Sequence, residues 1–296
     1  MIKTENTVDK STVNKGIWLN LSSVAVMSLT PVLNKISMST LTPLQASFLN
    51  ALFSAVITYS VIKIKRQEIP NLFKNKLVIL LGLTNAIGIL LQYISVSLLD
   101  PVSVGLFGRF YIIFALLLSI IIMHEKVSKA DFMPIILTLI GTILITNFHG
   151  SMSSYFGIIS AISYTFFFAL TNMLAKKNIE NVETNILLFY NQALSSLILG
   201  ISLLISNQII FNFKSGIISI FGSAFMSGFL GLYLFYEGLK YISFRNANLI
   251  RSLNPVFVFL FSFPFFKVPM TPNFILGGAL IIISIVWIGL TSRKKA

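Results

Sequence analysis

The sequence contains no cysteine and few charged residues, and acidic residues are the rarest of these. The absence of cysteine excludes disulfide bonds and thiolate metal sites. Only nine of the 296 residues are acidic, and the three aspartates fall in a terminus or in predicted loops: Asp9, Asp100 and Asp131. Intramembrane hydrolases and lipid transferases need paired carboxylates, metal-binding clusters or an activated nucleophile. We therefore expect that the protein is not an enzyme. Because a glycine-rich phosphate loop is also absent, we expect that it binds no cofactor.

Long apolar runs make up most of the chain, which is 55% hydrophobic and 10% charged. A bilayer core about 30 Å thick needs roughly 20 apolar residues in helical conformation. The sequence therefore predicts an all-α integral membrane protein with ten transmembrane helices, at about 17–37, 43–62, 77–98, 102–123, 131–147, 155–175, 185–206, 216–239, 247–266 and 272–291.

The chain has a formal net charge of +13. The distribution of its positive residues indicates how the chain is oriented in the membrane and does not indicate a nucleic-acid partner. If the N-terminus is cytoplasmic, most of the lysines and arginines lie in inside segments, and only Lys35, Lys214 and Lys267 lie outside. This is the positive-inside bias expected for an even number of spans. We expect a multi-pass protein of the plasma (inner) membrane, of bacterial type, with both termini in the cytoplasm and the first span retained as a helix.

A weak internal repeat divides the chain. "SLTPVLNK" at 28–35 aligns with "ALTNMLAK" at 169–176, and the segments that begin at Ser95 and Gly238 run in parallel. Five spans per half is an odd number, so the second half must enter the membrane from the opposite side. We predict two inverted five-helix repeats at 16–150 and 151–292, flanked by cytoplasmic tails at 1–15 and 293–296. This arrangement is characteristic of transporters that alternate access around a site between the repeats.

Ten spans in two halves resemble the EamA branch of the drug/metabolite transporter superfamily. "HEKVSKADFMPIILTLIGTILI" is similar to the segment that follows the family's fourth helix, and "RSLNPVFVFLFSFPFF" is similar to its ninth helix. Glu125 and Pro255 match the family pattern, whereas Tyr111-Ile112 and Lys267-Val268 depart from it. The resemblance covers residues 16–292, is nearly silent on substrate, and implies a permease. The family's best-known members export amino acids and other metabolites.

Polar side chains inside the predicted spans are the candidates for solute binding, because such groups are costly in hydrocarbon and face a bundle interior or a wet cavity. Small polar residues also pack helices together in membranes, so a structural role is the competing interpretation. Several polar positions recur at helical spacing on one face of a span. The predicted substrate-binding residues are Arg109, Asn85, Gln92, Tyr164, Arg251 and Asn254.

Three charged residues inside the predicted spans are candidates for specific roles. Arg109 cannot lose its proton and needs a wet cavity, an anion or carbonyl groups, so it is predicted to face the cavity, with a structural pair as the alternative. Arg251 is equally consistent with substrate contact and with pairing to Glu237. Glu237 is the acidic residue well inside a predicted span and the candidate proton-coupling carboxylate.

The sequence therefore predicts a secondary transporter that exports a small-molecule substrate such as an amino acid. It is expected to be driven by a proton or solute gradient and to work in the lipid bilayer as a monomer or homodimer. One alternative is import or exchange of an organic anion such as a sugar phosphate. Another, of a different class, is a lipid flippase subunit or a membrane assembly protein.

Overall fold

The computed structural model describes residues 10–124, 132–145, 152–211, 216–251, 253–264 and 271–293. All regular secondary structure in these ranges is helical. Several residues of the sequence analysis lie outside them: Glu125, Lys214, Lys267, the end of the C-terminal tail and most of the N-terminal tail.

The first half contains seven helices that coincide with the first five predicted spans. They are α1 (Lys10–Met27), α2 (Thr30–Ser37), α3 (Pro43–Ile64), α4 (Lys76–Leu98), α5 (Pro101–Phe107), α6 (Phe110–Ile121) and α7 (Phe132–Ile145). The start of α1 at Lys10 places part of the predicted N-terminal tail in a helix.

The second half coincides with the remaining predicted spans. Its helices are α8 (Met152–Asn178), α9 (Thr184–Ile205), α10 (Gly216–Ser223), a π-helical segment (Ala224–Gly231), α11 (Leu232–Leu239), α12 (Phe244–Arg251), α13 (Asn254–Ser262) and α14 (Pro272–Arg293).

Seven helical stretches in the described residues are long and apolar enough to cross a membrane. They are Ser11–Ser37, Pro43–Ile64, Lys76–Leu98, Ser103–Ile121, Met152–Asn178, Thr184–Ile205 and Gly216–Leu239, and shorter apolar helices occupy Phe132–Gly141 and Ile275–Ser284. The protein is therefore a multi-pass helical membrane protein, while the number ten and the inverted relation of the halves stay predictions.

Four of the predicted spans are not continuous α-helices, contrary to their treatment as single helices in the sequence analysis. Breaks separate α1 from α2, α5 from α6 and α12 from α13, and the predicted eighth span contains the π-helical segment. Proline explains two breaks, because it lacks an N–H and is tolerated in the first turn of a helix. Pro31 and Pro255 each stand at the second position of the helix that follows a break.

The two halves pack against each other through close helix contacts. Helix α4 lies against α8 and α9, α3 lies against α9, and α1 lies against the π-helical segment and α11. Gly82 of α4 lets α9 approach so closely that a β-carbon at this position would overlap the β-carbon of Leu194. Small residues allow such backbone approach between membrane helices.

Two lysines cap helix ends at corresponding places in the halves. Lys35 Nζ donates to the main-chain oxygens of Val96 at 2.9 Å and Leu99 at 2.8 Å, at the end of α4. Lys176 Nζ donates to the main-chain oxygen of Leu239 at 2.6 Å, at the end of α11. The lysines occupy the same place in the "SLTPVLNK" and "ALTNMLAK" alignment, so these lysine caps support the predicted repeat.

The predicted orientation can be tested by thiol labelling, because the chain has no native cysteine. Exposed Ser206 follows α9 and is predicted outside, and exposed Glu180 precedes α9 and is predicted inside. We expect a membrane-impermeant maleimide to label Ser206→Cys in intact cells and Glu180→Cys only after permeabilisation. The opposite labelling pattern would show that the chain has the reverse orientation in the membrane.

Candidate functional site

A central cavity lies where the four irregular spans meet. It offers about 160 Å³ to the centres of water-sized molecules, and the π-helical segment and residues beside all three helix breaks reach its wall. The lining residues with polar side chains are Thr30, Asn50, Asn85, Gln92, Arg109, Tyr111, Tyr164, Thr171, Asn172, Gln192, Ser227, Arg251 and Asn254. Interrupted helices around a polar cavity are the usual construction of a solute site in membrane carriers.

All six predicted substrate-binding residues line this one cavity, although they come from four different predicted spans. The structure thus brings together Arg109, Asn85, Gln92, Tyr164, Arg251 and Asn254. Their contact with a solute stays a prediction. No acidic residue is among the lining residues in the described part of the chain, so the arginines give this cavity a positive field.

Arg251 presents unfilled hydrogen-bonding capacity to the cavity. Its guanidinium carbon lies 4.1 Å from the ring centroid of Phe235 and 5.3 Å from that of Tyr111. Nη1 donates to the Tyr111 hydroxyl at 3.2 Å and Nη2 lies 3.0 Å from Met27 Sδ. A guanidinium has five N–H groups, and in the described residues the other three find no acceptor. Arg251 can therefore bind an anion with two parallel bonds.

Tyr111 holds Arg251 in place through a fully used hydroxyl group. This hydroxyl donates to Asn248 Oδ1 at 2.6 Å and accepts from Asn172 Nδ2 at 2.9 Å as well as from Arg251. The four side chains come from α6, α8 and α12, so they join both halves. The sequence analysis noted Tyr111 only as a departure from a family pattern and missed this role.

Arg109 is buried, with 4% exposure, and its guanidinium is engaged with protein atoms. Nε donates to the main-chain oxygen of Gly105 at 3.3 Å and Nη1 to that of Arg251 at 3.4 Å. Nη2 donates to Asn254 Oδ1 at 3.0 Å. Carbonyl groups thus supply part of the compensation that the sequence analysis expected for this cation, and Arg251 is the better placed of the two arginines to meet a solute.

Other polar lining residues were not among the predicted substrate-binding residues, because polar side chains in membrane helices also serve to pack helices together. Asn50 donates through Nδ2 to Ser223 Oγ at 3.1 Å, and Gln192 donates through Nε2 to the main-chain oxygen of Gly228 at 3.0 Å. Gln192 Oε1 and Thr30 Oγ1 are buried and have no hydrogen-bond partner in the described residues. Buried acceptors normally have partners, so these two atoms can receive N–H or O–H groups of a solute.

Glu237 is not among the residues that line the cavity. Its carboxylate forms an ion pair with Lys240 at 2.8 Å in the last turn of α11, with 20% of the side chain exposed. The considered pair between Arg251 and Glu237 is not formed, since Arg251 lies over Phe235 and Tyr111 instead. Proton coupling through Glu237 stays a prediction, and the geometry favours a structural ion pair.

Fold and cavity together define a multi-pass membrane protein with an internal site of solute size, and the comparisons with known proteins name its family. The model of the EamA-like transporter family matches the chain twice, over residues 14–147 and 155–290. The chain belongs to the EamA-like transporter family and is a membrane transporter, which confirms the resemblance seen in the sequence.

Solved structures share the fold. A crystal structure titled only as that of a protein matches with a TM-score of 0.75, covering 95% of this chain and 98% of the other at 14% identity. At this identity the likeness concerns the fold alone. No curated protein matches the chain significantly.

Proposed function

We propose that this transporter is a secondary carrier that exports a small metabolite bearing an anionic group, such as an amino acid, across the plasma membrane of a bacterium. The two halves alternate the access of the central cavity, and both termini lie in the cytoplasm. The observation that carries the proposal is the guanidinium of Arg251, which keeps three unfilled N–H groups in a cavity whose described lining contains no acid.

The small size of the cavity and its mixture of polar and apolar lining residues support a small metabolite as the transported solute. A water molecule occupies about 30 Å³ in the liquid, so the space of about 160 Å³ suits a solute of a few heavy atoms in this conformation. Arg251 matches a carboxylate, and the unpartnered oxygens of Gln192 and Thr30 match donors on the same solute. Aromatic rings of Tyr164 and Phe168, 5.6 Å apart, supply an apolar wall.

Import or exchange of an organic phosphate is the second candidate. It is favoured by the presence of two arginines, Arg109 and Arg251, on one cavity wall. Arginine binds phosphate and carboxylate groups with similar geometry, so the charge pattern alone does not choose between these solutes.

A binding screen followed by flux tests the proposal. Purified protein is melted in the presence of amino acids, sugar phosphates and matched neutral analogues such as amino alcohols and free sugars. A true ligand at about 100 times its Kd stabilises the folded state by roughly 2.7 kcal/mol, which raises the melting temperature by several degrees. We expect anionic solutes to do this and their neutral analogues to fail.

The hit is then followed as radiolabelled solute in proteoliposomes that contain only this chain. Counterflow of the same solute is expected, and its direction under an imposed gradient separates export from import. Equal stabilisation by charged and neutral analogues would show that the protein does not recognise an anionic group on the solute. Absence of flux for every stabilising solute would favour a lipid flippase subunit or an assembly protein.

A further inference from the structure

A chain of side-chain hydrogen bonds joins three helix breaks. Arg109, at the break between α5 and α6, donates through Nη2 to Asn254 Oδ1 at 3.0 Å. Asn254, at the break between α12 and α13, donates through Nδ2 to Ser28 Oγ at 2.7 Å. Ser28 stands at the break between α1 and α2 and donates to the main-chain oxygen of Val24 at 2.6 Å. We call Arg109, Asn254 and Ser28 the breakpoint tie.

The breakpoint tie also holds main-chain groups at the break of the second half. Arg109 Nη1 donates to the main-chain oxygen of Arg251, the last residue of α12. A cation is stabilised at the C-terminal end of a helix, where carbonyl groups point outward. Ser28 Oγ lies 3.3 Å from the main-chain oxygen of Asn254, the first residue of α13. The end of α12 therefore accepts a hydrogen bond from Arg109, and the start of α13 lies beside the Ser28 hydroxyl.

The breakpoint tie connects the two halves of the transporter. Arg109 and Ser28 belong to the first segment matched by the family model, and Asn254 belongs to the second. Arg109 and Asn254 line the cavity, whereas Ser28 is fully buried behind it and is not a lining residue. A solute in the cavity can thus touch two members, but the third acts only through Asn254.

We propose that Arg109, Asn254 and Ser28 are positioning residues of the transport cycle, which hold the two halves in the present conformation and separate before the cavity opens to the other side of the membrane. The proposal rests on the proposed function, since it needs alternating access. Helices are rigid, so access changes by exchange of contacts between the halves. Side-chain hydrogen bonds are individually weak enough to be exchanged in this way.

Cross-linking at the breakpoint tie tests the proposal directly. Ser28 and Asn254 are replaced by cysteine in the cysteine-free chain, because their side chains form a direct hydrogen bond at 2.7 Å. Ser227→Cys on the cavity wall serves as the reporter, and an impermeant maleimide is applied to intact cells and to inside-out vesicles. We expect the oxidised pair to confine reporter labelling to one side, with at least a tenfold loss on the other, and reduction to restore it.

The single variants Ser28→Cys and Asn254→Cys, carried through the same oxidation, are the matched controls and should keep labelling from both sides. Unchanged labelling from both sides with the cross-link intact, as verified by mass spectrometry, would overturn the breakpoint tie. A reporter that reacts from one side only in the uncross-linked protein would instead contradict alternating access and hence the proposed function. The two failures are therefore distinguishable.

Two milder variants avoid any dependence on the cross-link. Ser28→Ala changes no charge and no cavity wall, and it should speed reporter labelling from the slower side about three- to tenfold, as expected for loss of one buried hydrogen bond. Arg109→Lys keeps the charge but loses the planar fork, so it should resemble Ser28→Ala. If Arg109→Lys and Ser28→Ala both label like the parent protein, the tie does not control access.

Discussion

Replacing Arg251 with glutamine is expected to remove most of the preference of the cavity for anions. The measurement needs no known substrate, because Ser227→Cys can be modified by methanethiosulfonate reagents that differ in charge. The positive parent cavity should favour the sulfonate-bearing reagent over the trimethylammonium reagent. Two unit charges roughly 8 Å apart interact by about 2 kcal/mol at an effective dielectric constant of about 20, and the two reagents carry opposite charges. The ratio of the two rates should therefore fall at least tenfold.

Controls separate this local effect from reagent chemistry and from misfolding. Ser206→Cys, exposed at the end of α9, reports the intrinsic ratio of the two reagents and should not respond to Arg251→Gln. Arg251→Lys keeps the charge and should keep the ratio, but it loses the two-pronged geometry and should weaken solute binding. An unchanged ratio in Arg251→Gln would show that Arg251 does not set the field of the cavity.

Replacing Gly82 with leucine is expected to abolish or strongly reduce folded protein. A β-carbon at Gly82 would meet the β-carbon of Leu194, which a rotamer change cannot move. The same close approach lets Ser195 Oγ donate to the main-chain oxygen of Gly82 at 3.0 Å and accept from Asn85 Nδ2 at 2.9 Å. Separating α4 from α9 would break this network as well as the packing, so the cost should exceed the 1–3 kcal/mol typical of overpacking.

Folded yield and melting temperature, followed by fluorescence-detected size exclusion, measure this effect. Gly278→Leu in α14 is the matched control, because a β-carbon at Gly278 meets no atom of the described residues within 4 Å. Removing a helical glycine should leave stability unchanged or slightly raised. If both variants fold equally well, the close approach at Gly82 is not a determinant of the fold.

The helices and the composition of the cavity were predictable from sequence because both depend on the high free-energy cost of placing polar groups in hydrocarbon. Hydrocarbon tolerates polar side chains only where they find partners or water, so positions such as Asn85 and Arg251 identify themselves as interior. The helix breaks were not predicted, since the run around Gly108 is interrupted by Arg109 alone and the run across the π-helical segment shows no change of pattern. Only Pro31 and Pro255 gave a local signal.

The division of roles between the arginines was also beyond the sequence. Both arginines stand inside predicted spans and both were predicted to bind substrate, Arg109 by facing the cavity and Arg251 with pairing to Glu237 as an equal alternative. In the structure Arg109 donates to the main chain of α12 and to Asn254, while Arg251 stacks on Phe235 and keeps free N–H groups. The position of the neighbouring helix breaks decides which arginine donates its N–H groups to protein acceptors. Tertiary packing sets these positions.

The lysine caps and the breakpoint tie have opposite relations to the boundary between the halves. Lys35 and the end of α4 belong to one half, and Lys176 and the end of α11 belong to the other. In the proposed alternating access, the halves can therefore move with both lysine caps closed, whereas the hydrogen bonds of Asn254 to Arg109 and Ser28 must break. Each half would then move as a rigid body that its own lysine cap stabilises. The hydrogen bonds among Arg109, Asn254 and Ser28 would break and re-form once in every transport cycle.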